Sequence, residues 1–179
     1  MRTKKNNYED FIKEDAEEMS YYDKLTLITI KSEGGKSRAT RIQKLGLIIN
    51  AIKEGKTPSS HGPYFYGGFS DDIEESLNYL LESGMIKIEN GEYALTEYGR
   101  KILEYLEKKL DDDYKKLKEI VEDITPPLKK LNDRDLVTLT YLLFPELAKN
   151  SLIKEEIEKI LESGKFKSFK IYIEDVKKK

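Results

Sequence analysis

Apolar positions in the first half of the chain fall into a helix, helix, helix, hairpin order. The stretch "YYDKLTLITIKS", residues 21–32, predicts a helix with Ser20 as its N-cap and "EGG" at 33–35 as its stop. A second helix is predicted from near Ser37 through "RATRIQKLGLIINAIKEG". There Ile42, Leu45, Ile49 and Ile52 recur at intervals of 3, 4 and 3, so one stripe faces a core, and Gly55 ends the helix. "KTPSSHGPYFYGG" is rich in Pro, Gly and Ser and is predicted to be a loop, anchored by Tyr64, Phe65 and Tyr66. A third helix is predicted over "DDIEESLNYLLE", capped by Ser70 and closed by Gly84, with Ile73, Leu77, Leu80 and Leu81 on its buried side. "MIKIE" then alternates, Asn90–Gly91 is a hairpin-turn dipeptide and "EYAL" returns. Thr96 caps a fourth helix.

The fourth helix is predicted to be long. Leu103, Leu110, Leu117 and Ile124 are spaced by seven, and Leu106, Asp113 and Ile120 fill the positions three residues on. Pro126–Pro127 are expected to end it. Such a seam can dock on its own domain or pair with a second copy. A homodimer through Leu110, Leu117, Ile120 and Ile124 is the expectation, since isologous pairing is the commonest assembly. "DRDLVTLTYLLF" and "SLIKEEIEKILESG" predict two more helices, and the alternating tail "KFKSFKIYIEDVKKK" predicts a strand. The resulting organisation is a polar arm, frayed or briefly helical, over 1–19, a domain over 20–105, a helix continuing over 106–125 and an extension over 126–179. "LNYLLESGMIK" is echoed by "IEKILESGKFK" at 157–167, as a degenerate repeat or as a shared helix ending.

Composition narrows the classes. The 179 residues are 38% hydrophobic and 37% charged, enough apolar content for a core, and the net charge of −2 supplies no global attraction for nucleic acid. The absence of cysteine excludes disulfides, thiolate metal sites and a cysteine nucleophile. No apolar run is long enough to span a bilayer and the first residues lack the apolar core of a signal peptide, so the cytoplasm is the expected location.

Candidate chemistry is sparse. "GGKSR" at 34–38 resembles the end of a phosphate-binding loop, but the required first Gly is Ile30 and the segment follows a helix. His61, the one histidine, has no nucleophile or carboxylate at motif spacing. The acids at 71–72 and 111–113 are consecutive, unlike the alternating ligands of a calcium loop. No catalytic residue, metal or cofactor is therefore expected. Bases do cluster: Lys31, Lys36, Arg38, Arg41, Lys44, Lys53 and Lys56 face only Glu33 and Glu54 in that span. Phosphate contact through Lys36, Arg38, Arg41 and Lys44, with Lys87 and Asn90 of the hairpin assisting, is one reading. Against it stands the third helix, which carries Asp71, Asp72, Glu74, Glu75 and Glu82 and neither Lys nor Arg.

"RATRIQKLGLII", then "GPYFYGGFSDDIEESLNYLLESGMI", then "YALTEYGRKI" together resemble a winged-helix family of archaeal and phage-related proteins that includes the Panacea domain of antitoxins. The resemblance covers about residues 21–105. It implies a mainly α fold with a small β-hairpin wing, a winged helix-turn-helix, followed here by a long helix and a helical extension. In such proteins the fold serves transcriptional control or, in Panacea domains, neutralises a toxin by direct contact. The expected function here is a dimeric transcriptional regulator binding double-stranded DNA. The alternative is a protein-interaction module, antitoxin-like or scaffolding, presenting Asp71, Asp72, Glu74 and Glu75 to a basic partner.

Overall fold

A computed structural model describes residues 5–58, 61–64, 67–148, 154–164 and 166–178. The fold is mainly α with two small antiparallel sheets. In chain order the elements are α1 (Lys5–Glu18), α2 (Tyr21–Ser32), β1 (Lys36–Ser37), α3 (Ala39–Glu54), β2 (Gly62–Tyr64), β3 (Gly67–Phe69), α4 (Asp71–Glu82), β4 (Ile86–Glu89), β5 (Glu92–Leu95), α5 (Glu97–Lys108), α6 (Asp112–Leu128), α7 (Asp133–Leu143), a 3-10 turn (Pro145–Ala148), α8 (Lys154–Glu162) and α9 (Lys167–Lys177).

Local chemistry sets most starts and stops. Ser20 and Asp23 form a reciprocal capping box at the head of α2: the Asp23 amide donates to Ser20 Oγ at 3.2 Å and the Ser20 amide to Asp23 Oδ2 at 2.8 Å. Ser70 caps α4 and Thr96 caps α5, each accepting from the amide three residues on. Asn90 (φ 52°) and Gly91 (φ 76°) make the tight turn between β4 and β5, which pair from Ile86↔Leu95 to Glu89↔Glu92. β1 adds to the free edge of β5, so the sheet order is β1-β5-β4.

The core gathers around α2 and α3. Residues 23–30 of α2 are all buried, with α4, α6 and α3 packed around them. Residues 41–52 of α3 are buried too. The 3-4-3 stripe anticipated one buried face; α6, α7, α9 and β3 cover the rest. The 56–68 stretch, expected as loop throughout, contains the β2–β3 ribbon, with Gly62 opposite Phe69. Phe65 and Tyr66, expected to anchor it, lie outside the described residues, as does the side chain of Tyr64. The N-terminal arm is a docked helix: Ile12, Ala16 and Met19 are buried, and α5 donates to it through the hydroxyls of Tyr98 (to Asp15) and Tyr105 (to Glu17, 3.1 Å).

Three sequence expectations are corrected. The long fourth helix is two helices. It breaks at Leu110, whose φ is 53°, and Asp111 restarts it as the N-cap of α6 by accepting from the Tyr114 amide at 2.9 Å. The cap is local, and a long-range contact holds it: Asp111 is also tied to the largely buried Lys24 of α2 at 2.9 Å. Burial alone raises the Asp111 carboxyl, but Lys24 and the Tyr114 amide outweigh it and hold the group below its ordinary value. Secondly, Pro126 and Pro127 do not end α6 but sit in its last turn. Pro127 has no N–H for the Asp123 carbonyl, and the Tyr172 hydroxyl of α9 donates there instead. Thirdly, the tail is the helix α9, not a strand. Its inward residues Phe166, Phe169, Ile173 and Val176 follow a 3-4-3 spacing that overlaps the apparent alternation. The "LESG" echo is a shared helix ending: Gly84 (φ 74°) and Gly164 (φ 71°) both close helices, but one leads to a strand and the other to α9.

Candidate interaction surface

Part of the basic cluster is taken up by contacts within the fold. Arg41, 8% exposed, donates from Nε to Glu33 Oε2 at 2.6 Å, from Nη1 to the Leu131 carbonyl at 2.6 Å and from Nη2 to the Leu128 carbonyl at 3.3 Å, with Asp133 at 3.5 Å. It thereby ties the turn after α6, where the Leu128 carbonyl also accepts from the Leu131 amide at 3.1 Å, to the end of α2. Lys44, 3% exposed, donates to the Gly68 carbonyl at 2.7 Å, and burial pushes its ammonium down to about 8. Nearby His61 is buried as well; desolvation, then the charge of Lys44, push it down to about 4, and a backbone hydrogen bond with Gln43 pulls weakly the other way. Lys53 lies over the Tyr21 ring, 3.6 Å from its centre. Arg41 and Lys44 are thus corrected from phosphate contacts to core cations.

Four of the six residues assigned to nucleic acid stay at the surface. Lys36 and Lys87 both lie near Glu89, at 3.6 and 3.7 Å, and Arg38 reaches Asp133 at 3.4 Å. Asn90 is exposed at the hairpin tip. These pairs are solvent-exposed and weak, so the lysines and Arg38 are not locked away. But each of the three cations shares its surroundings with a carboxylate.

The other candidates sit together. Asp71, Asp72, Glu74 and Glu75 are all exposed on α4, beside Asn78 and Glu82, and none of the four pairs with a cation among the described residues. Ile73, Ser76, Leu77 and Leu80 form the opposite, buried side, which packs on α2. The first-turn acids suit the positive end of the helix dipole, so they stabilise the helix that displays them.

Gln43 positions this helix, a role the sequence did not signal. Its side-chain amide donates to the Ser70 carbonyl at 3.0 Å and accepts from the Ser70 amide at 2.9 Å, all within the core. Both hydrogen-bonding groups of the N-cap backbone are therefore held by α3, fixing where α4 begins.

The dimer seam is used within the chain. Leu117 is 0% and Ile124 1% exposed, against α2, α3 and α9, and Ile120 packs on the same core. Only Leu110, 73% exposed in the break between α5 and α6, faces out. The expectation of a pairing seam through these four residues is corrected accordingly. Among the described residues no group of three or more His, Asp or Glu side chains could hold a metal, and no helix is long and apolar enough to cross a membrane. Comparison with known proteins yields no relative: no family model, no curated protein and no solved structure matches this chain.

Proposed function

We propose that the chain is a winged helix-turn-helix used as a protein-interaction module, with the outward face of α4 docking a basic partner. The order α2, β1, α3, α4, β4, β5, with β5 in the middle of the sheet, supports the winged-helix reading. The β2–β3 ribbon is an insertion between the second and third helices of that unit. In this arrangement α4 occupies the place of a recognition helix and the β4–β5 hairpin the place of a wing.

The observation that carries the reading is the outward face of α4. It bears Asp71, Asp72, Glu74 and Glu75, while Arg41 and Lys44 of α3 are spent inside the fold. A duplex concentrates negative charge, and affinity for it comes chiefly from cations placed against phosphates. Base edges are read mainly by Arg, Lys, Asn and Gln, of which α4 exposes Asn78 alone. A positively charged protein surface meets the same face favourably, and opposed charges would steer the encounter. The resemblance to Panacea domains, where a winged helix neutralises a toxin by direct contact, points the same way.

The test is affinity capture with the wild-type chain and with the variant Asp71→Ser, Asp72→Ser, Glu74→Ser, Glu75→Ser. A basic partner held by the wild type and lost by the folded variant is the expected result. An unchanged set of partners would overturn the reading.

A further inference from the structure

A cavity of about 460 Å³ lies between the second half of α2 and α6, away from the α4 face. Its buried lining includes Ile28, Tyr114 and Val121. Its more exposed lining includes Lys31, Lys118 and Lys129. The carboxylates there are Glu122, which also lines the cavity, and Glu107, and both are engaged by Lys118. Lys31 and Lys129 make no ion pair among the described residues, although Glu107 feels the charge of Lys31. Two ammonium groups without an ion pair, Lys31 and Lys129, and a third held by Glu107 and Glu122 thus stand around an apolar cleft.

Tyr114 supplies a second, independent observation. Its ring lies in the core and its hydroxyl, buried, has no hydrogen-bond partner among the described residues. A buried hydroxyl left unsatisfied is costly, and such exceptions call for a reason. Burial holds this phenol in its protonated, donating form. Apolar walls with a few convergent polar groups are what a small-molecule site requires.

We propose that this cleft binds a small amphipathic carboxylate, an aryl or medium-chain acid. The apolar body lies along Ile28 and Val121, the carboxylate meets Lys31 and Lys129, and Tyr114 donates to an oxygen of the ligand. Lys31 and Lys129, which no carboxylate pairs among the described residues, disfavour a cationic head, and a neutral analogue would lack the ionic contact. The inference is independent of the α4 reading, since none of these residues lies on that helix.

The experiment uses the full chain with 1-anilinonaphthalene-8-sulfonate as a fluorescent probe and decanoate as the competitor. One probe molecule should bind per chain, and decanoate should displace it while decylammonium does not. The double variant Lys31→Gln, Lys129→Gln changes only exposed side chains. It should weaken decanoate binding by about fivefold or more, the scale of a charge-assisted contact. The same variant should leave the uncharged probe N-phenyl-1-naphthylamine bound as before. Tyr114→Phe, checked for folding by circular dichroism, should weaken decanoate by about threefold, as expected for one hydrogen bond. No stoichiometric binding, equal displacement by decylammonium, or a lysine variant that binds decanoate like the wild type would each overturn the proposal. If Tyr114→Phe does not fold, the lysine variant decides.

Discussion

Arg41 and Glu33 form a buried ion pair in which Nε of the arginine donates to Oε2 of the glutamate across 2.6 Å. The same guanidinium reaches the carbonyls of Leu128 and Leu131, some ninety residues away along the chain. Replacing Arg41 by Met strands the buried Glu33 carboxylate and takes a donor from the Leu131 carbonyl, while the Leu128 carbonyl keeps the Leu131 amide. The expected loss of stability is about 3–5 kcal/mol, the usual cost of removing one partner from a buried pair. Arg41→Lys should rescue only part of it, because an ammonium cannot match the planar fork that spans three acceptors. Urea unfolding of the three proteins measures this, and a neutral Arg41→Met would refute a structural role.

Lys44 should make stability rise with alkaline pH. Its folded-state value of about 8 lies below its ordinary 10.5. Below pH 8 both states hold the proton. Above it the folded state releases the proton first while the unfolded chain still binds it, so raising the pH favours the fold. Between about pH 7 and pH 9.5 the wild type should gain about 2 kcal/mol relative to Lys44→Met. The upper limit matters, because the half-buried Tyr21 and Tyr98 hydroxyls are raised and oppose the gain beyond the ordinary phenol range. Parallel stability curves for the two proteins would contradict the assignment.

His61 acts at the other end of the scale. Its folded-state value of about 4 lies below its ordinary 6.5, so the unfolded chain takes up a proton first as the pH falls. The stability associated with a neutral His61 is complete above about pH 6.5 and is lost as the pH falls toward 4. Its size is about 3 kcal/mol over that window. His61→Gln should flatten this part of the acid profile, and thermal melts of both proteins across the range read the difference directly.

Gly99 is predicted to tolerate no side chain. A Cβ there would lie 2.2 Å from the Met85 carbonyl oxygen and 2.8 Å from Leu95 Cδ1. That carbonyl is already held by the amide (3.1 Å) and hydroxyl (2.9 Å) of Thr96, so the first turn of α5 is clamped to the turn before β4. Gly99→Ala should cost about 1–3 kcal/mol or more, despite the better helix propensity of alanine. A stabilised Gly99→Ala would show that α5 can move off this contact.

What the sequence disclosed was local. Ser20, Ser70 and Thr96 cap their helices through amides three residues away, and Asn90–Gly91 turns on its own backbone, so short stretches sufficed to place them. What it hid depends on partners far along the chain. Arg41 reads as a surface cation until Leu128 and Leu131 close over it, and Gln43 gives no sign that it clamps Ser70. The spacing of Leu110, Leu117 and Ile124 continues a heptad across a break where Asp111 both caps α6 and meets Lys24 far along the chain. The tail misled because its apolar residues fit period 2 and period 3.6 alike. The acidic face of α4 was legible from the outset, since side chains with no partner need none to be located.

The most direct measurement is a paired titration at low salt, with a lysine-rich peptide and a short duplex DNA, each against the wild type and the variant Asp71→Asn, Asp72→Asn, Glu74→Gln, Glu75→Gln. The account predicts that the wild type binds the peptide and not the duplex, and that the variant loses about tenfold or more of the peptide affinity, a few tenths of a kcal/mol for each removed charge. Saturable wild-type binding to the duplex that falls steeply with salt, together with peptide binding indifferent to the four substitutions, would contradict it.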